Sequence, residues 1–154
     1  MTHFGSTAFA LVLLLSSGCD GARDVDGSPS VPAGAMSYRG YDDLGRLIVT
    51  GWIDLDIPNS QDGSPVPPDF DGTWSFRALA NTDRIGPQSG SGVLVGWFTD
   101  NGVVVELQPG QVDNNVRLVG TLTAGGPAPM RYEGDWRWMT LTGVRATGTF
   151  RASQ

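Results

Sequence analysis

The chain has 154 residues with 16 acidic and 10 basic side chains, which gives a net charge of −6. This balance argues against nucleic acid and anionic lipid surfaces as partners, because both attract positively charged proteins. All ten basic residues are arginine, and the single histidine and single cysteine are His3 and Cys19. Lysine is therefore absent from the whole chain.

An apolar segment at residues 8–15 is followed by Ser16, Ser17, Gly18 and Cys19. It is much shorter than the roughly 20 residues of a bilayer span, but it suits the apolar core of a signal peptide. Residues 1–19 resemble the signal of a bacterial lipoprotein, in which the cysteine becomes the lipidated first residue of the mature protein. The resemblance implies that residues 1–18 are removed and that Cys19 carries a membrane anchor. The alternatives are an ordinary secretory signal with a free cysteine and an uncleaved anchor.

Removal of residues 1–18 would leave a mature chain without histidine or lysine. A histidine-assisted serine nucleophile, a Schiff base and an ordinary zinc site are then excluded. Carboxylate chemistry remains, and its best pair is Glu133 and Asp135, since a glycosidase uses two nearby carboxylates. Their neighbours Arg131 and Arg137 instead favour a salt-bridged solvent face, with cross-strand partners at Arg145 and Arg151. We therefore predict a protein that is not an enzyme and has no cofactor.

Residues 19–35 are polar and rich in glycine, proline and serine, which is typical of a flexible tether. The expected organisation is a signal peptide at 1–18, a lipidated cysteine with its tether at 19–35, and one domain at 36–154. Of the 16 acidic residues, 14 are aspartate, and there are 22 glycines. Both residue types belong to turns and loops rather than to helices.

Alternating patterns predict eight strands, and no window has the period of a helix. The predicted strands are residues 37–41, 46–57, 72–80, 92–99, 103–108, 115–123, 130–140 and 143–152. The turn Asp100-Asn101-Gly102 is the strongest hairpin signal. The Pro/Asp-rich loop 58–71 is the main irregular feature.

Five aspartates lie in or beside that loop: Asp54, Asp56, Asp62, Asp69 and Asp71. Calcium prefers several such oxygens, but their spacing matches no calcium motif, and aspartate is common in any solvated turn. The sequence leaves calcium binding by the loop open, and we predict no metal site.

A short unit recurs along the strands: a glycine, any residue, and then a large apolar residue. The units begin at Gly51, Gly72, Gly96, Gly120, Gly134 and Gly148. Positions i and i+2 of a strand share a face, so each glycine lies on the same apolar face as the large residue after it. The opposite face of the later strands is polar. We predict an all-β domain, a single antiparallel β-barrel or barrel-like sandwich of about eight strands, in which glycines allow strong bending beside aromatic side chains.

The tripeptide Gly72-Thr73-Trp74 and the late Arg151 resemble features of lipocalin and avidin-like small barrels. In those families a Gly-x-Trp strand and a late basic residue close one end of the barrel. The resemblance implies a small barrel architecture, with a carrier of a small apolar ligand as one functional possibility.

Two sets of aromatic residues are candidates for binding. Trp52 and Trp97 lie opposite the apolar face and are candidates for binding a partner, unless other segments cover them. Tyr132, Trp136 and Trp138 lie on the apolar face, where they form the core or line a ligand cavity.

The leading functional prediction is an exported, membrane-anchored lipoprotein of the bacterial cell envelope with a non-catalytic binding or structural role. Its domain would lie in the periplasm or at the cell surface, and its partner would be an envelope protein or a glycan. The alternative is a lipocalin-like carrier of a small apolar ligand. A carboxylate-dependent hydrolase is third.

Overall fold

Eight antiparallel strands close into a barrel in the order of the chain. The computed structural model describes residues 30–58, 69–79, 81–123 and 129–154. The strands are β1 (Met36–Asp42), β2 (Leu47–Asp56), β3 (Asp69–Ala78), β4 (Gly90–Thr99), β5 (Gly102–Glu106), β6 (Asn115–Thr123), β7 (Arg131–Thr140) and β8 (Gly143–Ser153). Each strand pairs with the next, and β8 pairs with β1. The predicted all-β barrel of about eight strands is confirmed.

The up-and-down order gives the barrel two distinct ends. Residue 35, which precedes β1, lies at the same end as the connections β2–β3, β4–β5 and β6–β7. We call this the tether end and the opposite end, with the other four connections, the distal end. The structure does not describe the predicted signal segment with Cys19, most of the predicted tether, Asp62 or most of loop 58–71. Within the described ranges, no helix has the length and apolarity needed to cross a membrane.

Most of the large aromatic side chains inside the barrel face a glycine on a neighbouring strand. The pairs in register are Tyr38–Gly51, Phe70–Gly96, Trp74–Gly92, Phe76–Gly51, Trp136–Gly148 and Phe150–Gly134. A Cβ at Gly148 would lie 2.6 Å from Trp136 Nε1, and one at Gly96 would overlap the Phe70 ring. Gly92, Gly96 and Gly148 thus leave room for the rings opposite, whereas Gly51 and Gly134 allow close approach of neighbouring backbone. Both effects let the strands bend tightly around a core of aromatic side chains.

The predicted apolar face is the interior of the barrel, with exceptions at the distal end. Val49, Ile53 and Leu118 are fully buried, as their positions predict. Leu47 and Val144 have the parity of the apolar residues in their strands, at even spacing from Gly51 and Gly148, but they are 41% and 51% exposed. Both lie at or next to the distal ends of their strands, where side chains reach beyond the packed interior.

Replacing Gly148 with valine should lower the free energy of unfolding by ~1–3 kcal/mol, because the new side chain would overlap Trp136 and the Tyr41 carbonyl. Gly134→Val should behave alike, since its Cβ would lie 2.5 Å from Gly120 Cα. Urea unfolding measures both changes. Thr149→Val on the exposed face of β8 is the control, with an expected change within about 0.5 kcal/mol. Unchanged unfolding of both glycine variants would remove the packing argument.

Candidate functional site on the outer wall

The three aromatic residues predicted as core or ligand-binding groups are packed inside the barrel with internal hydrogen-bond partners. Tyr132 and Trp136 are completely buried, and Trp138 is 7% exposed. The Tyr132 hydroxyl lies 3.1 Å from the carbonyls of both Val103 and Leu118, to either of which it donates. Trp136 Nε1 donates to the Tyr41 carbonyl, and Trp138 Nε1 donates to the Asn114 side chain. A ligand at these residues would have to displace packed and hydrogen-bonded groups.

The β3–β4 connection covers the distal end of this interior. Ile85 and Gln88 on that connection are completely buried. The Tyr38 hydroxyl donates to Gln88 Oε1, and Gln88 Nε2 donates to the Ile85 carbonyl. Tyr38 also stacks on Phe76 with ring centroids 4.1 Å apart. Burial raises the pKa of Tyr38 and of Tyr132 far above the usual tyrosine value, because a charged phenolate would lose its hydration there.

The two residues of the lipocalin-like resemblance lie on opposite sides of the barrel wall. Trp74 is buried in the interior, where its Nε1 donates to the Leu107 carbonyl at 2.8 Å. Arg151 is exposed on the outer face of β8, which pairs with β1 and β7 rather than with β3. The structure therefore does not bring Trp74 and Arg151 together.

Trp52 and Trp97 both lie on the outer wall and are half-buried, but they do not form one surface. Trp52 is opposite Ser75 on β3, and Trp97 is opposite Asp69 on the same strand. Six residues of a strand separate these positions by roughly 20 Å. The guanidinium of Arg117 lies over the Trp97 ring, 5.8 Å from its centroid, and also pairs with Glu106. Trp97 is thus partly covered by the protein's own side chain.

The indole of Trp52 has no such internal partner. Among the five tryptophans, all within the described ranges, it alone makes neither a hydrogen bond nor a contact with another ring or a guanidinium. A half-buried indole on a wall presents a flat apolar face and an N–H donor to whatever binds there. This availability distinguishes Trp52 from the other four tryptophans.

Four serines line up with Trp52 across five strands of the outer wall. In register, the serine–tryptophan row is Ser153 (β8), Ser37 (β1), Trp52 (β2), Ser75 (β3) and Ser91 (β4). Adjacent strands are about 4.8 Å apart, so the row extends for nearly 20 Å. Serine is small and its hydroxyl both donates and accepts hydrogen bonds. The row therefore surrounds the half-buried indole with small hydrogen-bonding groups.

A second row, two residues along each strand, carries positive charge. In register, the arginine row is Arg151 (β8), Arg39 (β1), Thr50 (β2) and Arg77 (β3). It lies about 7 Å from the serine–tryptophan row. The ion pairs among the described residues are Asp42–Arg46 and Glu106–Arg117, so no arginine of this row has a carboxylate partner there.

The carboxylates Glu133 and Asp135 are exposed on the outer face of β7. Glu133 is opposite Arg151 in register, as the solvent-face interpretation predicted, although the described residues contain no ion pair between them. The expected partner Arg145 is elsewhere, with its guanidinium 4.5 Å from the centroid of the Trp138 ring. In register, Asp135 is opposite Thr149, so Arg145 lies four residues away along β8, beside the bulge between Trp138 and Met139.

The aspartates around loop 58–71 do not form a recognisable cation site in the part of the chain that is described. Asp54, Asp56 and Asp71 line a shallow hollow of about 400 Å³ on the outer wall. No three His, Cys, Asp or Glu side chains of the described ranges form a group that could hold a metal ion.

The distal end carries most of the exposed aliphatic side chains. Of the eight exposed large hydrophobic residues within the described ranges, six lie at this end: Leu44, Leu47, Leu79, Val112, Leu141 and Val144. Of these six, only Val144 lines a cleft of about 480 Å³ at this end, together with polar residues that include Asp43, Asp83, Arg84 and Arg145. Hydrogen bonds from the Arg46 side chain lower the pKa of Asp42 and hold the β1–β2 turn beside it.

Sequence reasoning identified Trp52 by its parity in β2 but missed its serine and arginine neighbours. These residues come from five strands at both ends of the domain, so only the register brings them together. The sequence signal that could have indicated these neighbours is the polar residue at every second position of β1 and β3. No family model matches the sequence, and comparisons with curated proteins and with solved structures found no match.

The packed interior predicts an unusual alkaline titration. Because their pKa values are raised, neither Tyr38 nor Tyr132 should ionise while the barrel is folded. The chain has three tyrosines, so absorbance at 295 nm, which measures tyrosinate, should rise by at most one tyrosine equivalent before unfolding. The unfolded chain releases these protons near pH 10 and the folded chain retains them, so stability should fall as pH rises above that value. Circular dichroism follows the fold in parallel. Ionisation of all three tyrosines in a folded barrel would contradict a packed interior.

Proposed function

We propose that this protein is an exported lipoprotein, anchored through Cys19, whose barrel binds a component of the cell envelope on the outer wall around Trp52. The observation that carries the binding role is the availability of the Trp52 indole, flanked in register by serine hydroxyls. The role is non-catalytic. A binding site of this kind needs only a stable wall, which the closed sheet provides.

The topology is consistent with a membrane-anchored domain. A tether from Cys19 would join the barrel at its tether end, so the distal end is free to face away from the membrane. Residues 32–35 turn back onto the barrel, with the Ala35 N–H bonded to the Pro32 carbonyl and Ala35 buried. At ~3.5 Å per residue, residues 20–31 would span up to roughly 40 Å when extended. This reach lets the outer wall contact material well beyond the surface of the bilayer.

The composition of the wall favours a glycan over a protein as the partner. Protein interfaces are depleted in serine and enriched in clustered aromatic residues, whereas Trp52 is a single aromatic residue among hydroxyl groups. Sugars offer both apolar C–H faces, which pack on an indole, and hydroxyls, which pair with serine. A carrier role for the interior is the weaker alternative, because Tyr132 and Trp136 are fully buried and hydrogen-bonded.

The anchor is tested by cell fractionation. The full chain expressed with its signal should sediment with membranes and incorporate labelled palmitate, since Cys19 would be acylated. Cys19→Ser should abolish the label and either release the protein or stall its processing. A soluble wild-type protein with a mature N-terminus elsewhere would rule out the anchor while leaving the binding wall to be judged separately.

The wall is tested by retention of the detergent-solubilised full chain on polysaccharide isolated from the envelope of the expressing bacterium. Trp52→Ser should reduce retention at least about tenfold, in line with the loss of a central aromatic contact. Trp97→Ser is the matched control, because its indole is also half-buried on the wall but lies under Arg117. Equal retention of the wild type and both variants would refute binding through this wall.

A further inference from the structure

The arginine row brings like charges together. Arg39 and Arg151 are directly opposite each other on β1 and β8, and both are exposed. Like charges at such positions destabilise a sheet, and Glu133, opposite Arg151 on β7, offsets the repulsion from one side of the pair only. One strand beyond Thr50, Arg77 adds a half-buried guanidinium. None of these arginines has an ion-pair partner among the described residues.

An anionic ligand would relieve this repulsion. A guanidinium binds a carboxylate, phosphate or sulfate group with two parallel hydrogen bonds. An anion between Arg39 and Arg151 would convert a repulsive pair into two attractive ones. Arg131 on β7 adds another exposed guanidinium at the edge of the serine–tryptophan row. Two carboxylates, Glu133 and Asp54, lie beside the rows, so their four arginines give this wall a local excess of positive charge on a chain whose net charge is −6.

We infer that the two rows together bind an acidic glycan, with Trp52 and the serines holding the sugar rings and Arg39, Arg151 and Arg77 holding its anionic groups. The inference rests on the proposed binding wall and adds the chemical class of its ligand. The rows lie about 7 Å apart, so a sugar ring on the indole places its substituents over the guanidinium groups. The net negative charge of the chain opposes nonspecific binding of polyanions, and at physiological salt its field is screened within about 8 Å. Recognition therefore depends on short-range contacts at the rows.

The probe is polygalacturonate, an acidic glycan whose methyl ester is a neutral match with the same sugar backbone. The detergent-solubilised full chain should bind polygalacturonate at least about tenfold more tightly than the ester, measured by affinity electrophoresis. Arg39→Gln combined with Arg151→Gln should remove most of this difference in affinity. Each exposed charge contact is weak by itself, but several contacts to one repeating ligand add together. The matched control is Arg84→Gln with Arg137→Gln, which makes the same change in net charge at exposed positions outside the rows.

Stability provides a second measurement. Without ligand, Arg39→Gln should melt at the same or a higher temperature than the wild type, because the repulsion is removed while Arg151 keeps Glu133 opposite it. Polygalacturonate should raise the melting temperature of the wild type and of the control but not that of the double variant. An Arg39→Gln variant that melts well below the wild type would show that the pair is stabilising and would overturn the inference.

The other outcomes separate this inference from the proposed function. If polygalacturonate and its ester bind equally well and Trp52→Ser loses both, the proposed binding wall stands. The ligand would then not be an acidic glycan, and the inference is overturned. Glycerol phosphate and oligogalacturonate can also be compared as competitors that displace bound polygalacturonate. If both displace it equally well, the wall recognises a phosphate group such as that of a lipid headgroup, and the inference of an acidic glycan is overturned. No binding of either glycan would overturn the inference, and unchanged envelope retention of Trp52→Ser would refute the wall itself.

Discussion

The pairing of interior aromatic rings with glycines on neighbouring strands is the constraint on which this barrel depends. At Gly148 and Gly96, a side chain would occupy the space taken by Trp136 and Phe70. Glycine weakens a strand by itself, so these positions are stable only because a large ring covers each of them. The same contact bends the strands and fills the interior. Closure and core packing are therefore two consequences of one interaction.

A filled interior moves the candidate site to the outside. The rings that the sequence offered as a ligand pocket are held by the Tyr41 carbonyl and the Asn114 side chain, and Gln88 lies buried under the distal connection. The outer wall, in contrast, has an indole without an internal partner at Trp52 and two exposed arginines, Arg39 and Arg151, directly opposite each other. Unsatisfied groups of this kind indicate where a further molecule would gain most on binding.

The sequence predicted the fold better than the site, and the reason is physical. Period-two alternation and the repeated glycine units are local signals, so all eight strands were located to within three residues at each end. The interior face followed from parity, except at Leu47 and Val144 near the distal end. The alignment of Ser37, Trp52 and Ser75 depends on strand register, which closure of the barrel sets and which no local pattern contains. Parity alone also grouped Trp52 with Trp97, although roughly 20 Å of sheet separates them.

The central claim is that the interior is packed and that the outer wall at Trp52 binds the ligand. The most direct measurement is the nuclear magnetic resonance spectrum of the five indole N–H groups, recorded in deuterated water and then with oligogalacturonate. The hydrogen-bonded indoles of Trp74, Trp136 and Trp138 should exchange slowly, and the Trp52 indole quickly. Oligogalacturonate should shift the Trp52 signal and leave the three slow signals unchanged. A shift of Trp136 and Trp138 with Trp52 unaffected would contradict the account and place the ligand inside the barrel.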